Sequence, residues 1–162
     1  MIEKTLSTHC AGRWLTILLR LSVFAATLQP QAYAETAQPT NREQAMRVAM
    51  LVNGESVTIS LENNQTSRDF VALLPLDLTL EDYAGSEKIT TLSRKLSTQD
   101  AAPGITPVTG DFAYYAPWGN IAIFYKGFTY SPGLIKLGAL ETNLDIIRQP
   151  SPLNVRFELI NH

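Results

Sequence analysis

The chain has 162 residues, a length that suits one domain. Its hydrophobic content of 45% is enough for a sizeable core and excludes a wholly disordered chain, while its 17% charged content falls below the usual value of about 25%. A formal net charge of −2 gives no electrostatic basis for nucleic-acid binding.

The chain opens with a leader. Lys4, Arg13 and Arg20 give a positive start, and residues 21–28 form a short apolar stretch. Gln29-Pro30-Gln31 breaks that stretch, and Ala32-Tyr33-Ala34 places small residues where a signal peptidase needs them. Residues 14–28 are too few to match the roughly 20 that cross a bilayer, and Arg20 interrupts them. Residues 1–34 are therefore expected to be a signal peptide, cut between Ala34 and Glu35, that delivers the protein to the periplasm or outside the cell without a membrane span. Without the leader, 10 of the 13 basic and 14 of the 15 acidic groups remain, net −4. Cys10 and His9 leave with it, so the mature chain keeps no cysteine and a single histidine, His162.

Residues 35–44 are polar, contain Pro39, and read as a flexible lead-in to a domain over residues 45–162. Residues 47–52 alternate as a strand, Asn53-Gly54 is a strong hairpin signal, and residues 55–61 return with Val57, Ile59 and Leu61 on one face. Asn64-Gln65-Thr66 matches a glycosylation acceptor, here read as a chance match in a turn. Thr66 is the expected N-cap of a short helix, with Asp69 closing a capping box, Phe70, Leu73 and Leu74 forming its apolar stripe, and Pro75 ending it at Leu74.

Residues 76–81 alternate strictly as a strand with one wet face. Residues 82–88 read as a loop and residues 89–92 as a short strand. Residues 93–108 carry Arg94, Lys95, Pro103, Gly104 and Pro107; a connection of this length is often functional. Phe112, Tyr114 and Tyr115 open a strand, residues 116–120 turn, and residues 121–126 form a strand apolar on both faces. Ser131-Pro132-Gly133 suits a type II turn, residues 134–140 are the next strand, residues 141–147 a helical turn, and Leu153, Val155, Phe157 and Leu159 mark the last strand. About eight strands spaced by turn signals, with one clear helix, point to a closed barrel or sandwich.

The chemistry on offer is narrow. Nucleophilic relays need a histidine, and His/Cys metal sites need their ligands, so no catalytic residue, metal or cofactor is expected. Asp82 and Glu87 around Gly85 are read as a solvated turn rather than a cation site. What remains is a binding constellation: Arg94 and Lys95 as fixed charges beside Tyr83, Tyr115, Trp118 and Tyr130, with Asn120 in the same group. A small molecule or an extended peptide is the ligand such a set would take. The competing reading makes Tyr114 and Phe124 plain core and Trp118 a cap on the barrel end.

Four stretches carry a family resemblance: Asp82-Tyr83-Ala84-Gly85-Ser86-Glu87-Lys88-Ile89, Arg94-Lys95-Leu96-Ser97-Thr98, Gly110-Asp111-Phe112-Ala113-Tyr114-Tyr115-Ala116-Pro117-Trp118-Gly119-Asn120, and Tyr130-Ser131-Pro132-Gly133-Leu134-Ile135. The chain resembles the bacterial cyclophilin-like fold family from about Met46 to Leu159. The resemblance implies a mainly β fold, a closed eight-stranded barrel with one or two short capping helices, and no assigned activity. Against true prolyl isomerases, Arg94 is the only counterpart it offers for the catalytic arginine, and the neighbours of Arg94 do not match. Gly119-Asn120-Ile121 replaces their Gly-Ser-Gln, and Leu134 stands where a histidine would be. An isomerase with an altered site and a structural accessory of an exported complex are the alternatives to a binding domain.

Overall fold

The structure, a computed structural model, describes residues 46–160. The leader, the lead-in and His162 lie outside the described residues. Ten strands form in chain order: β1 Arg47–Val52, β2 Glu55–Leu61, β3 Leu76–Tyr83, β4 Glu87–Thr91, β5 Gly104–Ile105, β6 Asp111–Tyr115, β7 Asn120–Phe124, β8 Ser131–Pro132, β9 Leu134–Leu140 and β10 Leu153–Leu159. Eight of them close an antiparallel barrel in the order β1-β10-β3-β4-β7-β6-β9-β2, while β5 and β8 pair as a separate two-stranded sheet. One helix, α1 Gln65–Val71, and a 3₁₀ turn at Leu144–Arg148 complete the fold.

Alternation decides which residues fill the barrel. Val48, Met50, Val52, Val57, Ile59, Leu80, Phe112, Tyr114, Ile121, Ile123, Leu137, Val155 and Phe157 are buried in one cluster. Phe70 drops from α1 into that cluster, its ring 5.1 Å from Phe112 and 5.7 Å from Phe157, and closes one end. The topology puts the 3₁₀ turn at the other end, where Ile146 and Ile147 are buried.

Several local expectations are corrected. The N-cap of α1 is Asn64, not Thr66: extended backbone there lets Oδ1 accept from the Ser67 amide at 2.8 Å, while Nδ2 donates to the Lys136 carbonyl. Asp69 closes no capping box, because its carboxylate is taken by Arg94 and the Ser97 amide. The helix stops at Val71, and residues 72–74 tighten into a turn through Leu73 N–H to Phe70 C=O and Leu74 N–H to Val71 C=O. The loop expected over 82–88 is a tight hairpin: Ala84 and Gly85 both have positive φ, and Ser86 N–H bonds Tyr83 C=O, so β3 runs to Tyr83 and β4 starts at Glu87. Ser131 and Pro132 are not a turn but the strand β8, and Gly133, at φ +77°, feeds the chain into β9.

A cleft on the outer wall of the barrel

The candidate site is built on the outside of four strands. Register places Ile121 and Ile123 of β7, Phe112 and Tyr114 of β6, Ile135 of β9 and Lys88 of β4 on the inner face. Glu87, Ile89, Ala113, Tyr115, Asn120, Ala122, Phe124 and Leu134 then face outward. An outer face in contact with water would be polar, yet Ala113, Ala122, Phe124 and Leu134 are buried and form a second apolar cluster with Ile105 of β5. Ile105, on the β5 part of the long loop, packs on this wall, which is why β7 is apolar on both faces.

The cover is incomplete. It leaves a cleft of about 350 Å³ floored by Ile89, Asn120, Phe124 and Leu134 and rimmed by Tyr83, Tyr115, Trp118, Phe128 and Tyr130. Trp118 meets Tyr83 and Tyr115 edge to face, with ring centroids 5.6 and 5.3 Å apart. Tyr83, Trp118, Phe128 and Tyr130 are nevertheless exposed, between 42% and 54%. They are four of the six large exposed hydrophobic residues among those described, so the apolar surface left open to water there gathers at this cleft. Gly104 makes the rim possible: a Cβ there would stand 2.5 Å from the Ser131 carbonyl oxygen and 2.8 Å from the Tyr130 hydroxyl.

Two polar groups mark the cleft, one of them buried and unsatisfied. Asn120 is buried, donates Nδ2 to the Ile121 carbonyl at 3.2 Å, and has no donor for Oδ1. Glu87, the one charged residue in the lining, makes no ion pair among the described residues, and burial pushes its carboxyl up to about 7. Its neighbour in sequence behaves oppositely. Lys88 points inward, is 1% exposed, and gives its three hydrogens to Asp82 Oδ2, Gln149 C=O and Ser151 Oγ at 2.8, 2.6 and 2.7 Å. Lys88 above all, then the Ser151 and Tyr125 hydroxyls, holds Asp82 below the usual carboxylate range. Asp82 and Glu87 therefore lie on opposite faces of the hairpin and do not converge on a cation.

Five of the seven residues selected from sequence, Tyr83, Tyr115, Trp118, Asn120 and Tyr130, line this one cleft. Arg94 and Lys95 do not. Arg94 grips Asp69 of α1 through both terminal nitrogens, at 2.7 and 2.9 Å, and so ties the start of the long loop to the helix. Lys95 lies along Gly119 on the exposed side of the 116–119 turn. Tyr114 is core, and its hydroxyl accepts from the Leu96 amide at 3.1 Å. Glu87 and Phe128 were not selected; the alternation of residues 87–91, which sets Glu87 beside Ile89, was the available signal.

Among the described residues no cluster of His, Cys, Asp or Glu could hold a metal ion, and no helix is long and apolar enough to cross a membrane. A hypothetical protein from Archaeoglobus fulgidus, known from a solution structure, has a similar fold: TM-score 0.58 and 16% identity over 72% of this chain and 95% of that one. No curated protein matches the chain significantly. The pattern that describes the cyclophilin-like family matches residues 50–158, which span the barrel from β1 into β10. The chain belongs to the cyclophilin-like family.

Proposed function

We propose that this protein is an exported binding domain that holds a small molecule or an extended peptide in the cleft on its outer wall, without robust catalysis. One observation carries the reading: the exposed aromatic surface of the described residues gathers at a single cleft that also contains an unpaired buried acceptor. Arg94, the one candidate for a catalytic arginine, is engaged by Asp69 away from that cleft. Isomerisation has an uncatalysed barrier of about 18–20 kcal/mol, and a catalyst lowers it through donors aimed at the amide. Export rests on the charged start, the apolar stretch and Ala32-Tyr33-Ala34.

The chain freed of residues 1–34 keeps Trp118 as its one tryptophan. Its fluorescence should respond saturably to a ligand of the cleft, and Tyr130→Ala should weaken the response. The same protein should show no more than trace isomerase activity on short Xaa-Pro peptides. Robust turnover would replace the binding reading with that of an altered isomerase. N-terminal sequencing of the cell-envelope fraction should begin at Glu35; an uncut cytoplasmic chain would sink the export.

A further inference from the structure

The cleft's charge pattern names the class of its ligand. Its lining contains one ionisable carboxylate, Glu87, and neither lysine nor arginine. Lys88 and Arg94, the nearest cations in the sequence, are spent on Asp82 and Asp69 outside the cleft. An anionic ligand would find no counter-charge here and would face a carboxylate. Around Glu87 stand partly exposed aromatic residues, among them Tyr83, its register partner across the hairpin, and Trp118 packed on Tyr83. A carboxylate in a wall of aromatic faces recognises a compact cation with N–H donors: the ring quadrupoles attract the charge and the carboxylate accepts its hydrogens. Asn120 adds an acceptor without a donor to the same lining. We infer that the cleft binds an alkylammonium group, with Glu87 as its counter-ion and the aromatic rim, Trp118 foremost, enclosing its aliphatic part. This rests on the reading of the cleft as a binding site and goes further, to the charge of the ligand.

The titratable groups that share the lining with Glu87 are phenols: Tyr83 on β3, Tyr115 on β6 and Tyr130 before β8. Tyr125, just past β7, couples to Glu87 electrostatically but gives its hydroxyl to Asp82 on the other face. Lys126, the next residue, is exposed. Burial brings the Glu87 carboxyl into the window between pH 6 and 8, so a change in cation affinity there reports it.

The test uses the full chain and calorimetry with three probes of one shape: n-hexylammonium, 1-hexanol and hexanoate. Hexylammonium should bind saturably, hexanol at least tenfold more weakly, and hexanoate not at all. Glu87→Gln, which keeps the side chain's size, should cost hexylammonium at least tenfold and leave hexanol unchanged. In the unaltered protein, hexylammonium affinity should rise about tenfold from pH 6 to pH 8 as the carboxyl ionises. This second readout holds even if the variant misfolds. Equal binding of hexylammonium and hexanol would overturn the cation inference and leave the cleft as a binding site. So would a pH-independent affinity, or an unchanged Glu87→Gln variant. If no probe binds but Trp118 still responds to another ligand, the ammonium inference alone falls; if Trp118 responds to nothing, both fall.

Discussion

Glu87 and Arg94 show how little the type of a charged residue says without its neighbours. Glu87 is half-buried with no cation among the described residues paired to it, and burial pushes its carboxyl up from 4.5 to about 7. Between these values the folded chain holds a proton that the unfolded chain has released. Stability therefore falls as pH rises from about 4.5 to 7, and the full penalty persists above. The whole shift corresponds to about 3 kcal/mol, and solvent at the open side of the cleft screens this to about 1–2 kcal/mol. Thermal melts of Glu87→Gln and the unaltered protein should thus agree near pH 4.5 and diverge by pH 8, with the variant more stable. A constant difference across that range would show that the carboxyl is not desolvated. Arg94 is the converse case. Its side chain is 45% exposed and paired bidentately to Asp69, which is held below its usual range chiefly by that hydrogen bond. Arg94→Ala should move the thermal midpoint little, because an exposed ion pair is screened by solvent. It should leave binding in the cleft unchanged, because Arg94 does not line it. A large loss of ligand binding in a folded Arg94→Ala variant would show that the loop it anchors shapes the rim.

At the scale of elements, the rim depends on the small sheet that β5 and β8 make outside the barrel. Gly104 is the one residue type that lets these two strands meet, since any Cβ would press on the Ser131 carbonyl and the Tyr130 hydroxyl. Gly104→Ala should therefore part β5 from β8, displace Tyr130, and lower affinity in the cleft several-fold. The barrel should still fold, because it closes without either strand. Calorimetric binding beside a thermal melt separates the two effects; a collapse in melting temperature with unchanged affinity would contradict this. The barrel strands were legible because alternation is a property of neighbours in sequence: residues 47–52, 55–61, 134–140 and 153–159 read as strands and are strands. The two-residue strands β5 and β8 were not, since their pairing joins residues far apart in the chain and leaves no local period. The cap failed for a related reason. Asn64 and Thr66 are both good caps by type, and the hydrogen bond from Asn64 to the Lys136 carbonyl favours the first. Aromatic clustering around residues 110–134 marked the cleft. The partners that withdraw Arg94 and Lys88 from it come from elsewhere in the fold and could not be read there.

For the molecule as a whole, the arrangement separates what holds the barrel from what faces the ligand. Inside, Phe70, Phe112 and Phe157 are fully buried and meet pairwise at 5.1, 5.7 and 5.9 Å, which joins α1 to strands on two sides of the barrel. Outside, the cleft rests on the opposite faces of β4, β6, β7 and β9. Phe157 touches the first system and does not line the second. Phe157→Ala removes an aromatic ring from a site hemmed in by Phe70 and Phe112, with Met50 and Leu76 as its register partners on the flanking strands, so the cavity can close little. The cost should be about 3–5 kcal/mol. Against a total of about 5–15 kcal/mol for a domain, this is a large share, and denaturant midpoints should fall accordingly. The molecules that remain folded should bind in the cleft as tightly as the unaltered protein, because the inner face can lose volume without moving the outer one. A loss below roughly 1 kcal/mol would mean that Phe157 does not face the core. A fall in affinity among folded molecules would mean that the wall transmits strain from its inner face to its outer face, and that packing in the barrel sets the shape of the cleft.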